Sequence, residues 1–190
     1  MKKVKNEIAV LLFLLLLFPA AASGEQGKEE KSDGPKLQLF LNLPAKAKKE
    51  ESTLSEAWNF YLDDAFLLCA SRLDGFLLFS RRHSLDLGKL EAFIAILYEQ
   101  CAVGIDESGA NEAARETIEK AIALAPRSYS IRYHQGLILK NGSRTKEAIE
   151  ALEAAIALCK PENRLSSPPL IQRPPREISE EAKSELKSLE

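Results

Sequence analysis

NEAARETIEKAIALAPRSYSIRYHQGLILKNGSRTKEAIEALEAAIALC, residues 111 to 159, plays one helical pattern twice. A forward step of 34 residues carries Ala114 onto Ala148, Ile118 onto Leu152 and Ala121 onto Ala155. The letters AIAL at 121–124 return unchanged at 155–158. Upstream, the same step takes Ala102 to Gly136 and Ile105 to Leu139. Small and apolar residues recurring at a fixed interval mark a repeat architecture, and 34 residues is the length of a helix–turn–helix unit.

Around this stretch the helical period continues. Asn111 is placed to cap a helix with Ala114, Ile118, Ala121, Ile122 and Ala125 on one face, and Pro126 closes it. Tyr129–Lys140 is the next predicted helix, ended by Asn141 and Gly142. Thr145 then caps a third, with Ala148, Leu152, Ala155, Ile156 and Cys159 facing inward. On the N-terminal side, Leu90, Phe93, Ile94, Leu97, Tyr98 and Cys101 predict a helix from about Lys89 to Val103, broken over Ile105–Gly109. Leu54, Trp58, Tyr61, Leu62, Ala65, Cys69 and Leu73 predict an amphipathic helix over Thr53–Leu73, stopped by Gly75 and followed by a short apolar piece, Phe76–His83. On the C-terminal side, residues 164–176 carry Pro168, Pro169, Pro174 and Pro175 and read as an extended linker. Residues 177–190 read as a last amphipathic helix with Ile178, Ala182, Leu186 and Leu189 on one face, which either docks on the end of the array or frays.

The first two dozen residues are of a different kind. Lys2, Lys3 and Lys5 precede the apolar run Ile8–Phe18, and Pro19 and small residues follow, the pattern of a secretory signal peptide over residues 1–23. Even extended to Ala22 the run is shorter than the ~20 residues a spanning helix needs. The expectation is an exported protein, periplasmic or extracellular, with no stable membrane insertion after cleavage. Residues 24–52 form a polar linker, within which Leu37, Leu39, Leu41 and Leu43 alternate as in a strand. That piece either lies against the helical body or pairs with a partner's strand.

The 190 residues carry 26 Lys and Arg against 28 Asp and Glu, a formal charge of −2. Removing residues 1–23 takes three Lys and one Glu, a net of +2, and moves it to −4. A mildly acidic chain without a basic patch is not built to bind nucleic acid.

The two units resemble tetratricopeptide repeats (TPR). The family's large, apolar and small positions of the first helix fall on Tyr98, Cys101, Ala102 and Ile105, and those of the second on Ala114, Ile118, Ala121 and Pro126. In the next unit they fall on Arg132, Gln135, Gly136 and Leu139, then Ala148, Leu152 and Ala155, with Pro161 one place late. Arg132 and Gln135 replace apolar residues, so the first helix of that unit is expected to be the more exposed. The resemblance implies an all-α fold, a short right-handed TPR-like helical-hairpin array over 53–163 with repeats at about 95–128 and 129–162 and flanking capping helices. Two units alone do not bury a core, because about three or more are needed. The 53–83 region must therefore add a layer, and since the 34-residue step fails there it is read as an N-terminal cap.

Two His, at 83 and 134, have no Cys or carboxylate at ligand spacing, and no phosphate-cradling loop or nucleophile elbow is present, so no metal, cofactor or catalytic residue is assigned. Cys69, Cys101 and Cys159 fall on apolar faces; if a bridge forms, Cys69 with Cys101 is the pair. What the resemblance implies is a non-enzymatic adaptor or scaffold that holds a protein or peptide on the concave face lined by the first helices. That face maps to Ile96, Glu99, Gln100 and Val103, and to Ser130, Tyr133, His134, Leu137 and Lys140. The alternative is a structural or assembly subunit of an envelope complex acting by self-association.

Overall fold

A computed structural model describes residues 51–167 and 170–189. The expected signal peptide and the alternating leucines at 37–43 lie outside the described residues. Seven α-helices run through the described residues: α1 (Glu51–Leu62), α2 (Phe66–Arg82), α3 (Lys89–Glu107), α4 (Asn111–Leu124), α5 (Tyr129–Asn141), α6 (Thr145–Leu158) and α7 (Pro175–Leu189). Between α6 and α7 lie a 3-10 turn, Pro161–Asn163, and two short antiparallel strands, β1 (Ser166–Ser167) and β2 (Leu170–Ile171). None of the described helices is long and apolar enough to cross a membrane.

Consecutive helices pair as α1 with α2, α3 with α4 and α5 with α6. The pairs stack because α2 touches α3, α4 touches α5, and the first helices α3 and α5 touch each other. This is an all-α, TPR-like array of helical hairpins. Ala114 and Ala148 are both fully buried, as are Ala102, Ile118, Leu152, Ala121 and Ala155. Small residues at these crossings let the helices of a hairpin approach closely. At Gly136 the approach is very close: a Cβ added there would lie 2.7 Å from Leu152 Cγ.

The hairpins turn on one device. Asp64, Gly109 and Ser143 adopt φ of 55°, 84° and 60°. In each case the next residue donates its backbone N–H five residues back: Ala65 to Phe60 (2.8 Å), Ala110 to Ile105 (3.2 Å) and Arg144 to Leu139 (2.9 Å). A residue in the left-handed region just past a helix, with backward bonds onto the last carbonyls, is a common helix stop. Because these turns set the boundaries, Asn111 and Thr145 are first residues of their helices rather than the predicted caps; the cap positions are Ala110 and Arg144. The Asn111 amide instead donates to Asp106 at the end of α3.

Several expectations are corrected here. The helix predicted over 53–73 is two helices, since the chain folds back at Asp63–Ala65 and α2 runs on through Gly75 to Arg82. Folding back is what lets Leu54, Ala57 and Trp58 of α1 and Cys69, Leu73 and Phe76 of α2 share one buried core. The region is thus a full hairpin and supplies the third layer. Its apolar positions Cys69, Leu73, Phe76 and Leu77 answer to Ala114, Ile118, Ala121 and Ile122 at a step of 45 residues, not 34. The helix expected to end near Val103 continues to Glu107. In α5, Gln135 is buried, not exposed: it donates to Glu119 on α4 (2.9 Å) and accepts from Arg132 (3.1 Å), so a polar ladder replaces the apolar contact. The proline-bearing stretch is packed against α3 through β1 and β2, and the last helix begins at Pro175, where a missing N–H costs nothing.

Cys69 and Cys101 are buried side by side between the first two hairpins with both thiols free. The Cys69 hydrogen bond and burial push the Cys101 thiol far above its ordinary value.

Candidate partner-binding groove

The first helices α3 and α5 form one continuous face, and its residues follow from helical spacing. On α5, Tyr129, Tyr133, Leu137 and Lys140 share a side at steps of three and four; on α3, Ile96 and Glu99 stand one turn apart. The C-terminal part of the chain lies across this face.

At its centre is the Glu99 carboxylate, fully buried in a helix that is otherwise apolar on this side. A carboxylate out of water must be matched by donors, and Glu99 has three. Ser130 Oγ donates to Oε1 (2.5 Å), His134 Nδ1 lies 2.8 Å from the same oxygen, and Gln172 Nε2 donates to Oε2 (2.6 Å). Gln172, only 4% exposed, has every polar side-chain atom engaged. Its Nε2 also reaches Ser128 Oγ (2.9 Å), while its Oε1 lies 3.0 Å from the Ser128 hydroxyl and accepts from the Leu165 N–H at 3.1 Å. Its backbone carbonyl takes Arg164 Nε at 2.9 Å. Ser128 is at the same time the N-cap of α5, accepting from the Ile131 N–H.

Next to this cluster the chain continues along α5. Tyr129 donates its hydroxyl to the Arg173 carbonyl (2.6 Å) and Tyr133 to Glu181 Oε2 (2.9 Å). Arg173 forms two bonds to Glu181 (2.7 and 2.9 Å) and lies 5.8 Å from the Tyr133 ring centre. Lys140 donates to Glu185 (2.6 Å) and Ser188 (3.2 Å). Beneath these polar contacts Ile178 and Ala182 are fully buried with Tyr129, Tyr133, Leu152 and Ala155, and Leu137 packs on the same cluster. Burial and the Glu181 carboxylate push the Tyr133 hydroxyl up to about 12; burial raises Tyr129 likewise to about 12. The Arg173 guanidinium holds the Glu181 carboxyl below its usual range.

Of the residues expected to line the face, Ser130 and His134 converge on Glu99, which in turn holds Gln172, while Tyr133, Leu137 and Lys140 meet α7. Ile96 is buried on the same helix. Gln100 and Val103 are half-buried and turn toward the first hairpin, lining a shallow depression with Tyr61, Leu62 and Phe66. Ser128, Tyr129, Gln172, Arg173 and Glu181 were not among the residues expected there. One signal for them was present: a glutamate following the apolar run Phe93–Tyr98 needs a partner from elsewhere in the chain. Among the described residues, no group of three His, Cys, Asp or Glu side chains stands close enough to hold a metal.

No family model matches the chain, and no curated protein does. Among solved structures, it is similar to the Sgt2 TPR domain from Aspergillus fumigatus, with a TM-score of 0.46 at 17% identity, covering 82% of this chain and 86% of that one. It is also similar to a chain of the CopN-Scc3 complex, with a TM-score of 0.51 at 17% identity, covering 91% of this chain and 96% of that one. The latter overlay shows a shared fold, which in the described residues of this chain is a stack of helical hairpins.

Proposed function

We propose that this chain is an exported, non-enzymatic protein-interaction scaffold that receives an extended segment of a protein partner on the face formed by α3 and α5. The observation that carries this reading is that the face already holds a segment of this chain: residues 164–167 and 170–174, whose short strands β1 and β2 pair, lie on it with Gln172 buried against Glu99 and Ser128. Main-chain and side-chain bonds to an extended segment are a recurrent mode of peptide recognition. An enzyme is the weaker reading. The Glu99–His134 pair has its Ser130 hydroxyl on the carboxylate rather than on the imidazole, the wrong side for activating a nucleophile. Export rests on the basic start and apolar run of residues 1–23, and the mildly acidic charge speaks for a protein rather than a nucleic acid partner.

The test is site-specific photocrosslinking in an envelope extract, with the reactive group at the half-buried Leu137 or Lys140 on this face and, as control, at the exposed Glu116 on α4. Discrete protein adducts from the first two positions only are expected. Equal labelling from Glu116 would contradict the reading.

Self-association of an assembly subunit is favoured by a separate feature. Leu62, Leu67, Leu68 and Leu78 on the first hairpin are 46–57% exposed. Under that reading, light scattering of the mature chain shows a mass that rises with concentration and falls back to the monomer in Leu67→Glu/Leu78→Glu.

A further inference from the structure

The stretch that crosses the α3–α5 face is held differently from the helix that follows it. In α7, Ile178 and Ala182 are fully buried in an apolar cluster. In residues 164–174, by contrast, Arg164, Ser166, Ile171, Arg173 and Pro174 are exposed, and Leu165 and Leu170 are only partly buried. Among the described residues of this stretch Gln172 alone is buried, and it is polar. A short hairpin whose one buried side chain is polar, with partly buried Leu165 and Leu170 and otherwise exposed residues, has the layout of a bound peptide rather than of a core element. α7 has its own apolar seat on α5 and α6, so the segment can leave the face without unseating the helix.

The pocket around Gln172 is matched to a carboxamide. Glu99 offers an acceptor that takes an N–H, and the Ser128 hydroxyl lies within bonding distance of both ends of the amide. An ammonium would satisfy Glu99 and leave the hydroxyl without an acceptor; an apolar side chain would leave the buried Glu99 short of a donor, at a penalty characteristic of unpaired buried groups. Two further positions are read: Leu170, two residues earlier, packs on the main core, and Arg173, one residue later, sits by the Tyr133 ring and Glu181.

We infer that Glu99, Ser128, Ser130 and His134 form a glutamine-reading pocket, filled in the isolated chain by residues 164–167 and 170–174 as a displaceable intramolecular ligand. The partner's segment therefore carries the same chemistry: an apolar residue, any residue, glutamine, then a cation. This rests on the scaffold reading above and names the class of ligand. A tethered ligand acts at an effective concentration on the order of millimolar, so a partner segment must bind the emptied pocket far more tightly than that to displace it.

The probe is a fluorescein-labelled synthetic peptide of residues 164–174, titrated by anisotropy with three full-length chains: the natural one, Gln172→Ala and Gln172→Glu. The second substitution sets a carboxylate against Glu99 and expels the segment by repulsion. Binding at least tenfold tighter to both variants than to the natural chain is expected, and a peptide with leucine for glutamine should bind at least tenfold more weakly. Equal binding of the leucine peptide, or no gain in either variant, would overturn the inference. So would loss of the far-ultraviolet helical signal in both variants, because a displaceable ligand leaves a folded groove behind. Failure here with partner adducts intact at Leu137 and Lys140 refutes the pocket alone; peptide binding without any adducts refutes the scaffold reading.

Discussion

At the C-terminal end of the stack α7 covers Tyr129, Tyr133, Leu152 and Ala155 with Ile178 and Ala182, and turns Lys, Arg and Glu outward. At the N-terminal end α2 leaves Leu67, Leu68 and Leu78 more than half exposed. Stacked repeats need polar outer faces at their ends to stay soluble, and among the described residues only the C-terminal end has one of its own. The difference separates two roles. The C-terminal end is where the chain spends its long-range polar contacts on itself, and the N-terminal end is where apolar surface of the kind that marks an interaction site remains uncovered.

The contrast is tested most severely by Ile178→Ala, which removes a fully buried side chain and is expected to lower the unfolding free energy by about 2–4 kcal/mol in urea titration. Leu67→Ala at the other end should stay within about 0.5 kcal/mol. A smaller effect separates two helical glycines. A Cβ on Gly136 would meet Leu152 at 2.7 Å, whereas one on Gly75 meets nothing within 4 Å. Gly136→Ala should therefore cost about 1–2 kcal/mol through overpacking. Gly75→Ala should gain about 0.5–1 kcal/mol through helix propensity. Thermal melts of the two variants should move in opposite directions.

The smallest effect is one of pH. Glu181 is held below its usual range by Arg173 and by Tyr133. A lowered carboxyl contributes stability that is full above the ordinary glutamate value and is lost as pH falls through the lowered one. The pair is more than 40% exposed, so the contribution is below about 1 kcal/mol. Glu181→Gln should remove that part of the acid dependence of α7 docking, read from exchange in α7, and leave the α1–α2 hairpin unaffected.

How legible all this was depended on distance along the chain. The central hairpins stood out because Ala114, Ile118 and Ala121 recur at a fixed step, and the packing that needs them is local. The first hairpin did not. Its second helix answers to the next at a step of 45 residues rather than 34, and its turn rests on Asp64, whose left-handed backbone carries no distinctive letter, while Gly75 mimics a stop inside a helix. The face of α3 and α5 was readable from helical geometry, and Glu99, Ser130 and His134 lie together on it. Gln172 was not, because a single side chain reaching 73 residues back to Glu99 leaves no periodic trace in a stretch whose prolines suggest a spacer.

Amide hydrogen exchange at Leu165 and Gln172 addresses the central claim, that the chain fills its own groove. Both N–H groups are bonded within the docked segment, Leu165 to the Gln172 side chain and Gln172 to the Leu165 carbonyl. The natural chain should show them slowed by about 100-fold or more relative to an unstructured peptide, and Gln172→Ala should release them while α5 stays protected. Free exchange at both sites in the natural chain, alongside a protected α5, would mean that the segment does not occupy the face.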